Sequence, residues 1–154
     1  MDGVDPLVMP VFFSFAQVRE DLDRFTQGIH EALLWKDLGG STLAFHLAHL
    51  AGSIDRLATY LSGGQLTEEQ LAFLRSEREP RRSGIELRNL IEKSLERAEQ
   101  ILRTIQPDTL YDARTVGRQR LPTTVIGLLV HLAEHTQRHL GQAVTLSKIL
   151  RQNG

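Results

Sequence analysis

The sequence has no cysteine among its 154 residues. That absence excludes disulfide frameworks, thiolate zinc sites, iron–sulfur clusters and cysteine nucleophiles together. A charge excess is also missing: Lys+Arg 18 against Asp+Glu 19 leaves a formal net charge of -1. No global positive field exists to hold DNA or RNA by counterion release, so no nucleic-acid partner is expected. Nowhere is there a run of about 18 apolar residues, the length needed to span a bilayer, so no membrane partner is expected either. The apolar stretch Pro6 to Phe15 follows Asp2 and Asp5, with no Lys or Arg before Arg19. A secretory signal has the opposite flank, and the expected location is cytoplasmic. What is present is 41% hydrophobic and 24% charged residues, a soluble globular composition at about one domain's length. Residues 1–154 are read as a single domain.

Phe15, Val18, Leu22, Phe25, Ile29 and Leu33 recur every three or four residues, which predicts one amphipathic helix over about 13–35. Asp37-Leu38-Gly39-Gly40 stops it, and Ser41 can cap a second long helix whose stripe is Leu43, Leu47, Leu50, Ile54, Leu57 and Leu61. Thr67-Glu68-Glu69-Gln70 has capping-box spacing and opens a short helix to about Ser76. The charged stretch Glu77 to Arg82 contains Pro80 and reads as an exposed connection. After the cap Ser83, a third long helix carries Leu87, Leu90, Ile91, Leu95, Ala98, Ile101, Leu102 and Ile105, and Pro107-Asp108 ends it. Thr109 to Leu121 loses the pattern and reads as a long loop with at most a brief extended stretch. Pro122 then begins the last helix, which runs nearly to Leu150. Four long helices and one short one, without convincing period-two alternation, predict an all-α four-helix bundle. The connection after the second long helix is long enough for a crossover.

Five of the six histidines lie in two stretches, Phe45-His46-Leu47-Ala48-His49 and His131-Leu132-Ala133-Glu134-His135-Thr136-Gln137-Arg138-His139. Residues i and i+4 share a helix face, so His135 and His139 can aim their imidazoles at one centre, the two-ligand clamp of a metal site. They fall in the gap of the stripe Val125, Leu128, Leu132, Ala143, Leu146 and Leu150. Imidazoles in a core need partners to offset desolvation. A divalent metal is one such partner, and a histidine of the second long helix can supply a third ligand. At ~100° per residue His46 lies nearer the apolar stripe than His49. Bundle helices bury wide faces, so both stay open on periodicity, as does His131. His30 stands alone and reads as incidental.

Gly40 to Arg56 together with His131 to Gln142 resembles the DinB/YfiT-like superfamily of metal-dependent enzymes, and the likeness in helix order and length covers nearly the whole chain. The resemblance implies a four-helix bundle with a crossover connection, and a divalent metal held by three histidines. Zinc, nickel or iron serves in different members, and manganese is also admissible. Relatives with a Trp-x-Leu-Ala-His segment align His49 as the helix ligand, with His46 as alternative, and the pair carries over to His135 and His139. The family's His-x-Gly-Gln ending is present as His139-Leu140-Gly141-Gln142. Many members have Glu after the first histidine of the pair and Arg after the second. Here Thr136 and Leu140 stand there, so no general-base role is carried over.

Relatives include bacillithiol S-transferases, a mycothiol-dependent isomerase and the iron-binding domain of sulfoxide synthases. The expected function is therefore a divalent-metal-dependent transferase or hydrolase acting on a small-molecule substrate, with low-molecular-weight thiol S-transfer favoured. A cysteine-free chain must receive its thiol as a cosubstrate. The alternative is a non-catalytic bundle that binds a metal or small ligand for structure or sensing. Asp55, Arg56, Glu134 and Gln142 are candidates for groups around the metal or substrate. Arg114, Arg118 and Arg120 could meet an anion, although a solvated loop is the simpler expectation. The run Pro6 to Phe15 could serve a homodimer interface.

Overall fold

In the computed structural model, residues 3–152 are described; Asp2, part of the acidic N-terminal flank, lies outside them. Helix α1 (Met9–Thr26) begins with Pro10 in its first turn, where a missing N–H costs nothing. It starts within the apolar run and ends before the expected position 35. Gln27 turns extended, Gly28 adopts φ +76°, and a separate one-turn helix α2 (Glu31–Leu34) follows. The periodic stripe continues across this break, which is why periodicity alone reads one helix. His30 caps α2, its Nδ1 accepting from the Ala32 N–H at 3.2 Å.

Helix α3 (Leu43–Leu61) is capped by Thr42, whose hydroxyl accepts from the Phe45 N–H at 3.0 Å, leaving Ser41 free for another role. Beside its leucine stripe it buries Ala44, Ala48, Ala51, Gly52, Ser53 and Ala58, small residues that let neighbours approach on both flanks. α4 (Glu68–Ser76) and α5 (Gly84–Leu102) both open with complete capping boxes, at Thr67/Gln70 and Ser83/Glu86. α3 packs along α5 on one side and α6 (Val125–Gln152) on the other, α6 also packs along α1, and α1 meets α5 only lightly. The successive long helices α1 and α3 therefore stand at opposite corners, as do α5 and α6. The connection 62–83 joins neighbours. The crossings are made by 27–42 and by 103–124.

The weak α1–α5 edge is closed by polar side chains. Arg19 forks between Glu92 at 2.7 Å and Glu99 at 2.6 Å, and Arg88 donates to Thr26 Oγ1 at 2.6 Å. Across the α1–α6 edge, Gln137 donates to the Ser14 carbonyl at 3.0 Å and to its hydroxyl at 2.9 Å.

The segment expected as a loop is a single 3-10 turn (Pro107–Thr109) and an antiparallel hairpin, β1 (Ala113–Val116) and β2 (Leu121–Thr124). Pro122 lies in β2 opposite Thr115 rather than starting the last helix. A two-stranded ribbon has open edges on both strands, and an edge tolerates a residue with no N–H to donate. The first amides of α6 are satisfied by backbone carbonyls: Val125 donates to Asp112 at 3.1 Å and Ile126 to Leu110 at 2.9 Å. Four-residue strands carry too little alternation to be seen against four strong helical patterns. Among the described residues no helix is long and apolar enough to cross a membrane.

Half of the run Pro6 to Phe15 is buried within the chain. Val8, Val11, Phe12 and Phe15 are buried, while Leu7 and Phe13 remain exposed. Phe15 is 0% exposed and Phe13 58%, so the two should behave oppositely. Denaturant unfolding of Phe15→Ala is expected to show a loss of about 3–5 kcal/mol. Phe13→Ala, two residues away, should stay within about 0.5 kcal/mol.

Candidate metal centre

α3 and α6 face each other along the bundle, and this brings their histidines together. One ring nitrogen each from His49, His135 and His139 lies within 4.8 Å of the others. His49 Nε2 stands 3.1 Å from His135 Nε2, and the His49 and His139 ring centres are 4.3 Å apart. Two imidazole lone pairs at that distance need a proton or a cation between them. Two nitrogens bound at about 2.0–2.1 Å to one tetrahedral ion would be ~3.3 Å apart.

The outer contacts of two of the rings select the tautomer that such a centre requires. His49 Nδ1 lies 2.7 Å from Glu77 Oε2, and Arg56 donates to Glu77 Oε1 at 2.7 Å. A carboxylate can only accept, so His49 carries its proton on Nδ1 and presents the Nε2 lone pair inward. His139 Nδ1 meets His46 Nδ1 at 3.0 Å, and His46 Nε2 meets Ser41 Oγ at 2.7 Å. A consistent assignment runs outward: His139 Nδ1–H donates to His46, whose Nε2–H donates to Ser41. Nε2 of His139 is then the nitrogen it can offer. His135 differs, because its Nδ1 is buried without a hydrogen-bond partner among the described residues. Phe45 stacks on the His49 ring at 5.5 Å, and the Arg78 guanidinium covers the other aromatic ring at 4.0 Å from its centre.

Burial is the largest cause lowering the pKa of His135, His139 and His46. It lowers His135 to about 4, with further repulsion from His49, His131 and Arg138 against attraction from Glu134. His139 is lowered to about 3 by burial and then by His49, His135, His46 and Arg138. His46 is lowered for the same first reason, then by His49 and Arg78. Neutral rings at pH 7 are what metal ligation requires.

Glu77 is the residue that the sequence hides. In place of an exposed connection, it is the C-cap of α4 and only 2% exposed. α4 is docked by Gln70, which closes its own capping box and donates to Asp55 Oδ2 at 2.6 Å and Thr59 Oγ1 at 2.9 Å on α3. The carboxylate then passes over Gly52, where a Cβ would collide with Glu77 Oε1 and lie 2.6 Å from Arg56 Nη1. A glycine in the buried part of a helix was the one sequence signal of this close approach.

The other candidates separate. Arg56 belongs to the site through Glu77. Asp55 pairs with Arg97 at 2.9 Å and binds α4, away from the histidines. Glu134 is shared by His131 at 2.9 Å and Arg138 at 2.6 Å on the exposed side of α6; His131, Glu134 and His135 form a second, more open group of possible ligands. Gln142 is exposed. Arg114 is committed to the end of α3, donating to the Leu61 carbonyl at 3.0 Å. The gap in the α6 stripe is filled by Thr136 and Leu140, both buried, so His135 and His139 flank the stripe half-buried instead of replacing leucines within it.

The sequence profile of the DinB superfamily matches residues 14–143. The chain belongs to this superfamily. A crystal structure of a Streptococcus pneumoniae protein, a target of the Northeast Structural Genomics Consortium, has a similar fold, with TM-score 0.63 and 15% sequence identity. The match covers 95% of this chain and 88% of that one. Comparison with curated proteins finds none that matches. The DinB bundle with its crossed connections is thus shared at low identity. The three-histidine cluster of this DinB chain is compatible with a metal-dependent enzyme.

Two measurements test this construction. Glu77→Leu leaves Arg56 buried without its partner and should cost about 3–5 kcal/mol by chemical denaturation, much of it recovered in Arg56→Met/Glu77→Leu. Gly52→Ala should cost about 1–3 kcal/mol by forcing the ion pair apart. The depressed histidines also make the metal-free protein acid-sensitive. Below about pH 6.5 the unfolded chain takes up protons that folded His135 and His139 refuse until about 4 and about 3. Stability is therefore lost as pH falls through that window. The urea midpoint should drop less between pH 7 and pH 5 in His135→Gln/His139→Gln than in the wild type.

Proposed function

We propose that His49, His135 and His139 hold a divalent metal ion and that the protein is a metal-dependent transferase or hydrolase, with low-molecular-weight thiol S-transfer the favoured reaction. The observation that carries this reading is the convergence of three ring nitrogens, two of them backed by partners that leave Nε2 free: Glu77–Arg56 behind His49 and His46–Ser41 behind His139. The donor set is three imidazoles, which suits zinc, nickel or iron, and manganese less well. Three protein ligands characterise a reactive centre, whereas structural zinc sites are closed by four. When bound, such an ion lowers the pKa of water or a thiol so that a nucleophile exists at neutral pH.

The chain's own residues orient and shield. Glu77 holds the His49 ring in one tautomer, and Arg56 fixes that carboxylate in place. The His139–His46–Ser41 chain does the same for the second ring. Phe45 covers one face of His49. No cysteine exists to act as an internal nucleophile, so a thiol enters as cosubstrate.

Cobalt titration of the purified protein should saturate at one equivalent per chain with the absorption of a low-coordinate site. His49→Ala, His135→Ala and His139→Ala should each lose stoichiometric binding. His46→Ala should keep the stoichiometry and weaken affinity by about 10–100-fold, as removal of a supporting partner does. A protein that is isolated without stoichiometric metal and takes up none of zinc, nickel, manganese or iron would defeat the reading. On the loaded protein, a panel of small thiols with electrophilic acceptors separates transferase from hydrolase, and turnover with neither would favour a binding role.

A further inference from the structure

A cavity of about 190 Å3 opens directly beside the histidine cluster, with His49 and His135 in its wall. Its remaining walls are mostly apolar: Leu57 and Tyr60 from α3, Leu66 before α4, Leu71 and Leu74 from α4, and Val116 from β1. Of these only Leu57 is buried. The other five keep apolar surface facing this space, an arrangement that water does not favour and an apolar occupant would. Drug-sized ligands fill pockets of roughly 300–1,000 Å3, so the occupant is smaller than that.

The charges in the wall have one sign. Among the described residues no carboxylate lines the cavity, and it contains two guanidinium groups, Arg56 and Arg118. Arg56 is neutralised by Glu77 at 2.7 Å. Arg118 has no hydrogen bond or ion pair among the described residues. It sits on the hairpin turn Gly117 to Arg120, in a hairpin tied to the end of α3 by the Arg114 bond to the Leu61 carbonyl, and with Gly117 it lines the cavity. Its hairpin neighbour Arg114 is already spent on that bond, so Arg118 is the uncompensated cation of the pocket.

We propose that this pocket binds a small molecule with an apolar body and a carboxylate, the carboxylate paired with Arg118 and the body lying between α3 and α4 with one end against His49 and His135. A planar guanidinium matches a carboxylate with two parallel hydrogen bonds, and a single one suffices for a singly charged group. This assignment rests on the proposed metal centre for the place where reaction occurs, whereas binding itself needs only the pocket. It makes the hairpin, which sequence reads as a loop, the element that selects the substrate.

The test uses hexanoate, 1-hexanol and acetate as probes, with binding followed by protein NMR shifts on metal-free and cobalt-loaded protein. Hexanoate should bind more tightly than either hexanol, which lacks the charge, or acetate, which lacks the body. Arg118→Gln, on an exposed turn, should weaken hexanoate about tenfold and leave hexanol unchanged. Leu71→Asn should weaken both. Equal binding of hexanoate and hexanol, or hexanoate binding unaltered by Arg118→Gln, overturns the assignment. In the second case with cobalt bound, the carboxylate has gone to the metal instead. If cobalt is not taken up while the metal-free protein still shows the Arg118-dependent preference, the metal reading falls and the pocket stands.

Discussion

A carboxylate buried among apolar side chains must be paired or give up its charge, and Glu77 is paired on both oxygens. Arg56 takes one and the Nδ1 proton of His49 takes the other. The cost of removing these charges from water is offset only when every member is in place. That requirement reaches outward. α4 must dock in one register so that its C-cap Glu77 lands over α3, and Gln70 sets the register through Asp55 and Thr59. α3 must offer a bare backbone at Gly52 to let the carboxylate pass. The same pairing fixes which nitrogen of His49 points into the bundle. A constraint of folding and the preparation of a ligand are therefore one interaction.

The second ring is prepared in another way. His139 leans on His46, and His46 on Ser41, a chain of neutral groups ending at the residue before the cap of α3. Because Thr42 takes the capping role, the Ser41 hydroxyl is available. His135 has no such support, and its Nδ1 is the orphaned polar atom of the cluster. Neutral rings without enough partners are a cost to the apoprotein, and a shared cation would convert that cost into binding.

Much of the helical framework was readable. The apolar periodicity of α3, α5 and α6, the capping residues at Thr67 and Ser83, and the glycines after Leu61 are local signals with local causes. The grouping of histidines at positions 46–49 and 131–139 was equally plain. Failures came where a tertiary contact overrode a local pattern. α1 and α2 share one apolar stripe across a break at Gly28. The hairpin is too short to show alternation, and Pro122 fits an edge strand as well as a helix start. Which helices become neighbours depends on two connections that cross the bundle, and no residue in them announces it.

By itself, then, the sequence determined an all-α chain, the i, i+4 pair His135 and His139 on one helix face, and the exclusion of any thiolate from the chain, since these follow from period and composition. Periodicity left His46 and His49 open and the family resemblance favoured His49; the tertiary structure brings His49 to the pair and sets His46 behind His139. It also turned Glu77 from a surface charge into the buried partner of Arg56 and left Arg118, alone among the arginines of the hairpin region, facing the cavity. The physical reason is that burial and pairing are properties of three-dimensional neighbours: a glutamate in a charged stretch looks the same in sequence whether water or an arginine neutralises it.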